Sequence, residues 1–488
     1  MSWRTKPELS IDVSKSEREG FSLPDSDVPL CDFDKSLIRK SELKIPELSE
    51  LDVVRHYTNL SYQNYSIDSG MYPLGSCTMK YNPRVNEVTA AIKEFNIHPL
   101  TPSHLAQGNI ELIYRIENLL AEISGFSRIS MQPAAGAQGE YTGIRMIRAC
   151  LEDRGDVKKK IIIPESAHGT NPATAVMCGY EVVPIHVDAN GVLRLEDIDR
   201  LTKDHDVAAL MVTNPNTVGL FESNIKEITD LLHERGALVY CDGANLNAVL
   251  GLTRPGDWGV DVMHFNLHKT FTTPHGGGGP GCGAVGVSKT LVPYLPSPTI
   301  GRRHDKEAEY FFDTSEKKSI GKIKAYYGHF LMMVRAYTYI RELGPEGIKK
   351  VAEDAILLAN YIRINLQEHY KVAYDRPCMH EVIFTDKKQA ENGIKTMDLA
   401  KRLIDLGFHP PTVYFPLIVS GALMIEPTET ESIESVESLC EAFIQMAEEA
   451  KEEGAKEKYF DGAPFTTPVT KVDETLAVRK LVLTWKDM

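Results

Sequence analysis

Gly236-Ala237-Leu238-Val239-Tyr240-Cys241-Asp242 is an apolar run closed by a carboxylate, and His264-Phe265-Asn266-Leu267-His268-Lys269-Thr270 follows it after a short interval. Ahead of that run, Ile225, Ile228, Leu231 and Leu232 recur at helical spacing between Ser223 and Glu234, and Gly236 acts as a stop signal. A helix feeding a short apolar strand is the repeating unit of a parallel sheet. The same alternation runs from about Pro99 to Leu295, with Ile161-Ile162-Ile163 and Val207-Ala208-Ala209-Leu210-Met211-Val212 as further strands. It predicts an α/β fold, a mainly parallel sheet sandwiched by helices. An Asp at the end of a buried strand can keep a pyridine nitrogen protonated, and a later Lys can form a Schiff base with an aldehyde. Asp242 and Lys269 therefore read together as a covalent pyridoxal 5'-phosphate site.

Composition narrows the function classes. A chain of 488 residues, 42% hydrophobic, is long enough for two or three cores. The formal charge of −14 and a pI near 5.6 argue against a nucleic-acid or anionic-membrane surface, which needs clustered Lys and Arg. The first residues, Met1-Ser2-Trp3-Arg4-Thr5-Lys6-Pro7-Glu8, hold no apolar leader, and no later run is long enough to span a bilayer, so the cytoplasm is expected. Eight cysteines without a C-x-x-C pair predict free thiols and give zinc no support.

Residues 1–98 are read as an arm and linking segment, polar at first and interrupted by Pro24, Pro29 and Pro46. Residues 99–325 are read as the large cofactor-binding domain. Residues 326–488 are read as a helical linker and a small α+β domain. There, helices are expected over Lys322–Leu343, Gly347–Glu368, Met397–Leu406 and Ser432–Glu449, and strands at Glu381-Val382-Ile383-Phe384 and Ala422-Leu423-Met424-Ile425.

Pro133-Ala134-Ala135-Gly136-Ala137-Gln138-Gly139 precedes a helical pattern, and its small residues let backbone amides approach a phosphate at the helix's positive end. Glu140, placed at the first turn, would repel phosphate unless it points away; an ordinary loop is the alternative. His168 follows the Ile161–Ile163 strand, where open α/β sheets bind ligands, and can stack on a pyridine ring or be a structural histidine. Thr213-Asn214-Pro215-Asn216-Thr217 follows another strand and offers hydroxyls and amides at the same edge. Gly276, Gly278 and Gly281 spell a dinucleotide fingerprint, but Pro280 and the strand-like Ala284-Val285-Gly286-Val287 deny it the helix it needs. His264 and His268 have the spacing of a zinc helix without its Glu, so no metal is expected. Neither a Walker A sequence nor a G-x-S-x-G elbow occurs. Cys77 is open between a redox-sensitive thiol and a buried small side chain, and the Ser76-Cys77-Thr78 segment is a candidate channel lining. Arg302, Arg303 and Arg335 are candidates for a substrate carboxylate by chemistry alone.

Further motifs carry a resemblance. Pro73-Leu74-Gly75-Ser76-Cys77-Thr78-Met79-Lys80-Tyr81-Asn82-Pro83, the 135–140 loop, His168-Gly169-Thr170-Asn171-Pro172 and the Lys269 segment look like glycine decarboxylase, the P-protein of the glycine cleavage system. So do Gly407-Phe408-His409-Pro410-Pro411-Thr412, Met424-Ile425-Glu426-Pro427-Thr428-Glu429 and Ala463-Pro464-Phe465-Thr466-Thr467-Pro468. Single-chain members carry a second homologous half, and this chain resembles only their C-terminal half, which in split systems is subunit 2. The resemblance implies a pyridoxal phosphate-dependent transferase fold of the aspartate aminotransferase type, with a seven-stranded sheet. It implies Lys269 as the cofactor lysine, Asp242 on the pyridine nitrogen, Ala244 beneath the ring, His168 stacked above it, and Ala135, Gly136, Ala137 and Gln138 around the phosphate, with Thr213 nearby.

It also implies glycine as substrate, release of carbon dioxide, and transfer of the aminomethyl group to the lipoyl-lysine of H-protein. A separate subunit 1 and a heterotetramer of two copies of each subunit are the implied assembly. Two rivals stand beside this reading: another pyridoxal phosphate enzyme of the same fold, an aminotransferase or amino-acid decarboxylase, and a silent scaffold half that completes a partner's site.

Overall fold

The computed structural model describes residues 8–29, 31–41, 43–275, 281–304 and 308–484. They fall into two units, one formed by Met1–Gly70 with Gly462–Met488 and the other by Met71–Asp461. In the first, helix α1 (Glu50–Ser61) starts on a reciprocal cap: the Asp52 amide donates to Ser49 Oγ at 3.2 Å and the Ser49 amide donates to Asp52 Oδ2 at 3.2 Å. Arg18 pairs with Asp52 at 2.6 Å, and no residue of α1 is buried. The proline-broken, polar sequence supplies no apolar face to bury.

The second unit is built on a seven-stranded sheet. Its strands are β1 (Arg128–Ser130), β2 (Lys160–Pro164), β3 (Glu181–Ile185), β4 (Val207–Thr213), β5 (Leu238–Asp242), β6 (Val262–Asn266) and β7 (Gly283–Val287), in spatial order β1-β7-β6-β5-β4-β2-β3. Only β7 runs against its neighbours; β3, β2, β4, β5 and β6 are parallel in succession. The helices that precede and connect them are α2 (Arg84–Ala90), α3 (Gln107–Ser124), α4 (Gly136–Asp153), α5 (Thr170–Met177), α6 (Leu195–Thr202), α7 (Ile225–Glu234) and the single turn α8 (Leu267–Thr270).

All seven residues of β4 and all five of β5 and β6 are buried. Alternate residues feed two cores: Leu210, Val212, Val239, Cys241, Met263 and Phe265 face one, and Ala209, Met211, Leu238, Tyr240 and Val262 the other. Strand side chains alternate between faces, so burial on both sides produces the unbroken apolar runs of the sequence. Each such Leu, Val or Phe contributes roughly 1.5–3 kcal/mol against exposure.

Strands β8 (Thr299–His304) and β9 (Ala308–Asp313) form a separate antiparallel ribbon. Helix α9 (Phe330–Leu366) is broken at Gly344, whose φ of 62° and ψ of −175° with Pro345 following interrupt the hydrogen-bond ladder. Its first half begins at Phe330 rather than at Lys322, because residues 322–329 are held in irregular backbone ending at Gly328, φ 65°, packed on the Met131 carbonyl. Beyond it, β10 (Lys371–Val372), β11 (Val382–Thr385), β12 (Thr412–Val413) and β13 (Ala422–Ile425) make an antiparallel sheet in the order β10-β11-β13-β12. Helices α10 (Lys387–Ala390), α11 (Thr396–Asp405) and α12 (Ile433–Glu449) accompany it; α13 (Glu474–Arg479) belongs to the first unit. The segment from Pro73 docks on β13, with the Gly75 amide donating to the Met424 carbonyl at 3.3 Å and the Glu426 amide to the Pro73 carbonyl at 3.3 Å. Among the described residues, no helix is long and apolar enough to cross a membrane.

Candidate active site

Because β1, β2, β4, β5 and β6 run the same way, the turns after them open on one edge of the sheet. A crevice at the carboxyl ends of such strands is where open α/β sheets bind ligands. Asp242 is the last residue of β5 and pairs in register with Thr213, the last of β4. A Cβ on Gly243 would lie 1.9 Å from the His264 carbonyl, so glycine lets the end of β5 close on β6. Asp242 Oδ1 accepts the Ala244 amide at 2.9 Å, and the half-buried Ala244 opens the following turn. His264 Nε2 stands 3.5 Å from Asp242 Oδ1, while His264 Nδ1 meets Tyr240 Oη at 2.6 Å. Burial holds His264 below the ordinary imidazole range, so Asp242 faces a neutral ring.

Lys269 sits on α8, half-buried, with Nζ donating to the Ser76 carbonyl at 2.7 Å. Glu140 and His264 each feel the charges of both Asp242 and Lys269, which places lysine and aspartate in one site. Ser76 and Thr78 adopt left-handed backbone, φ 62° and 49°, and two buried carboxyls hold them there. The Ser76 amide donates to Glu381 Oε2 at 2.8 Å; the Thr78 amide and hydroxyl donate to Glu426 at 2.9 and 2.6 Å. Glu381 is pushed well above the carboxylate range by burial and then by Glu426. Burial likewise raises the Cys77 thiol despite Lys269, which favours the unreactive reading of that cysteine.

The loop before α4 ends at Ala135, and Gly136 opens the helix, so the amides of Gly136, Ala137 and Gln138 have no acceptor within it. The Gln138 side chain ties the loop down, accepting the Ala134 amide at 2.7 Å and donating to the Ile323 carbonyl at 3.1 Å. Only its backbone is left for an anion. A Cβ on Gly136 would fall 2.2 Å from Asn266 Nδ2, so the helix start is pressed against the end of β6. Glu140 lies in the second turn of α4, not the first, and its buried side chain points to α5: Thr170 Oγ1 donates to it at 2.7 Å and Thr174 Oγ1 at 3.3 Å. His168, exposed ahead of α5, contacts Thr170 Oγ1 through Nδ1 at 3.0 Å.

Sequence reasoning missed Lys80, which the fold buries completely behind α8. Its Nζ donates to Glu429 at 2.6 Å, Asn247 Oδ1 at 2.7 Å and the Thr270 carbonyl at 3.0 Å. A lysine inside an otherwise polar motif gave no local signal, since its partner lies 349 residues away. Of the candidate arginines, Arg335 is taken by Glu87 at 2.6 Å, and Arg302 and Arg303 are exposed on β8. His264 lies on β6 and His268 on α8, so the two do not share a helix. Ligand atoms of His380, Glu381 and Glu426 come within 4.8 Å of one another. The glycine run 276–280 lies outside the described residues; Gly281 packs near His268.

The donor set fits pyridoxal phosphate. A buried carboxylate, a lysine, first-turn amides and the Thr213 hydroxyl, buried with no partner among the described residues, converge at one sheet edge. Residues 137–377 match the aminotransferase class-V family, and residues 351–465 match a family described as glycine dehydrogenase, C-terminal domain. The fold resembles a crystal structure of glycine decarboxylase (P-protein) of the glycine cleavage system in inhibitor-bound form, with TM-score 0.70 and 20% identity over 84% of this chain and 92% of that one. It also resembles an aspartate aminotransferase from Thermus thermophilus, with TM-score 0.56 and 12% identity over 77% of this chain and 99% of that one. The fold is therefore that of the pyridoxal phosphate-dependent enzymes of the aspartate aminotransferase type. At the level of sequence, a protein from Bacillus licheniformis named "probable glycine dehydrogenase (decarboxylating) subunit 2" is 51% identical over 98% of both chains. One of the same name from Caldanaerobacter subterraneus is 50% identical over 98% of both. The chain belongs to the glycine dehydrogenase (decarboxylating) subunit 2 family.

Proposed function

We propose that this chain holds the pyridoxal phosphate of a two-subunit glycine dehydrogenase and decarboxylates glycine there, its aminomethyl product passing to the lipoyl-lysine of an H-protein. The observation that carries the reading is the meeting of Asp242 and Lys269 at the ends of β5 and β6, within reach of the same buried groups. When bound, the cofactor supplies an electron sink for the pair left behind as carbon dioxide departs. Lys269 would anchor it, and the Ser76 carbonyl is the acceptor that holds the free ε-amine in place. Asp242 would hold a proton at the pyridine nitrogen. A full carboxylate suits this role because the charge it stabilises is a full cation in a dry site. The amides at Ala135, Gly136, Ala137 and Gln138 would face the phosphate, His168 and Ala244 would enclose the ring, and the Thr213 hydroxyl would meet a polar substituent. The Ser76-Cys77-Thr78 segment, whose Ser76 carbonyl meets Lys269 Nζ, would line the crevice.

The same reading takes a separate subunit 1 as partner in a heterotetramer of two copies of each, in the cytoplasm. The family name supports a two-subunit enzyme, and the eight unpaired cysteines suit a reducing compartment. It divides the chain into an arm, 1–98, a cofactor-binding domain, 99–325, and a helical linker with small domain, 326–488. The test is glycine-dependent exchange of labelled bicarbonate into the glycine carboxyl, with subunit 1 and lipoylated H-protein present. The Lys269→Ala variant should lose both the exchange and the visible cofactor absorbance. Robust transamination by the parent, or an unchanged spectrum in the variant, would overturn the proposal.

A further inference from the structure

Strands β11 and β13 run antiparallel with Val382 opposite Ile425, and the same register carried one residue further sets Glu381 opposite Glu426. Glu381 is 0% exposed and Glu426 1%. Like charges directly across a sheet repel, and out of water they need a counter-charge. His380, also fully buried, brings its Nε2 to 3.9 Å from Glu426 Oε1, too long for a hydrogen bond. Neither nitrogen of that ring, nor Glu381 Oε1, has a partner among the described residues. Buried polar atoms are paired as a rule, so three orphans in one cluster point to a bound group. The nearby ammonium groups are committed elsewhere: Lys269 Nζ donates to the Ser76 carbonyl and Lys80 Nζ to Glu429.

We propose that His380, Glu381 and Glu426 bind one divalent first-row transition-metal ion, which ties the ends of β11 and β13 to the Ser76–Thr78 turn. Their ligand atoms lie within 4.8 Å of one another. Ligands about 2.0–2.2 Å from one ion stand up to roughly 4.4 Å apart, so the 3.9 Å between Nε2 and Oε1 suits an ion between them, and a modest contraction closes the set. Two carboxylates match the ion's two charges. The imidazole selects against alkali and alkaline-earth ions, which take oxygen ligands, and in favour of zinc, iron or cobalt. The Thr78 amide and hydroxyl on Glu426, and the Ser76 amide on Glu381 Oε2, leave a lone pair at each ligand oxygen and orient the carboxylates toward the ion. Burial keeps a proton on Glu381 without the ion, and uptake displaces it. Because the Ser76 amide meets Glu381 and its carbonyl meets Lys269, the ion fixes the lysine's acceptor from behind. None of the three ligands belongs to the set assigned to pyridoxal phosphate, so the site stands whether or not that reading holds.

The experiment is titration of the chelator-treated full chain with Zn²⁺ or Co²⁺, with and without pyridoxal phosphate, read by calorimetry and by elemental analysis after gel filtration. One ion per chain should bind, and the melting temperature should rise by about 3 °C or more at a hundredfold excess over the dissociation constant. The Co²⁺ form should show one paramagnetically shifted imidazole N–H signal in its proton spectrum. Glu381→Gln keeps the size and the Ser76 bond and should weaken the ion at least tenfold. His380→Phe should do the same and remove the shifted signal, with circular dichroism checking both folds. His186→Ala, at an exposed histidine, should leave uptake unchanged. No uptake by the parent, no shifted imidazole signal, or binding equally tight in both variants, the mark of an adventitious ion only, overturns the proposal. So does a protonated-carboxyl infrared band, lost in Glu381→Gln, that persists in the parent at saturating ion, because a proton is then the shared cation.

Discussion

Replacing Lys80 by Met tests whether the buried pair behind α8 holds the site together. Lys80 and Glu429 meet at 2.6 Å with side chains 1% and 9% exposed. Two unit charges at that separation attract by about 6 kcal/mol at an effective dielectric near 20. Taking both out of water costs several kcal/mol per ion, so the intact pair is worth little net, and burial accordingly draws the Lys80 ammonium below its ordinary range. The asymmetry lies in breaking it. Lys80→Met leaves Glu429 buried with only Tyr339 Oη at 3.0 Å and a long contact to Asn247, and should cost ~3–5 kcal/mol. It also frees the Thr270 carbonyl, one residue from Lys269, so pyridoxal phosphate retention should fall with stability. The double variant Lys80→Met with Glu429→Gln removes the stranded charge and should recover most of the loss, because neighbouring sites are not additive. The assay is the urea midpoint followed by circular dichroism, with bound cofactor read by absorbance in the same samples. A Lys80→Met protein as stable as its parent, or a double variant no better than the single, refutes the reasoning.

Gly136→Ala would place a Cβ 2.2 Å from Asn266 Nδ2 and 3.1 Å from His264 Nε2, forcing either the start of α4 or the end of β6 to move. Its stability cost should be ~1–3 kcal/mol, and pyridoxal phosphate affinity, read by fluorescence titration, should drop by roughly tenfold or more. Glu117, buried against Tyr327 Oη at 2.5 Å, is pushed up to about 8 by burial. Its folded form therefore holds a proton that the unfolded chain releases near pH 4–5, and stability should decline as pH rises toward about 8 and then level off. Glu117→Gln should flatten that decline in melting temperatures taken from pH 5 to 9.

The parallel sheet was legible because β2, β4 and β5 are buried on both faces and so read as unbroken apolar runs; α7 was legible from its spacing and the glycine stop. Asp242 and Lys269 were legible as a chemical pair because few structural roles call for a buried carboxylate and a lysine at the ends of neighbouring strands. The start of α9 was not, since residues 322–329 have acceptable helical spacing and only the packing of Gly328 on Met131 denies them a helix. Glu140 was placed in the wrong turn for a related reason: the end of a helix depends on a cap, and Ala135 gives no side-chain signal.

Local propensity and apolar periodicity are properties of neighbours along the chain, and they determined by themselves the central strands β2, β4 and β5, helix α7, and the choice of Asp242 and Lys269 as a candidate pair. The Lys80–Glu429 pair and the hold of Glu381 and Glu426 on the Ser76–Thr78 turn join residues up to 349 positions apart. No local pattern encodes such meetings, because a buried charge is tolerable only where the folded chain brings its partner, and tertiary packing alone decided where that is.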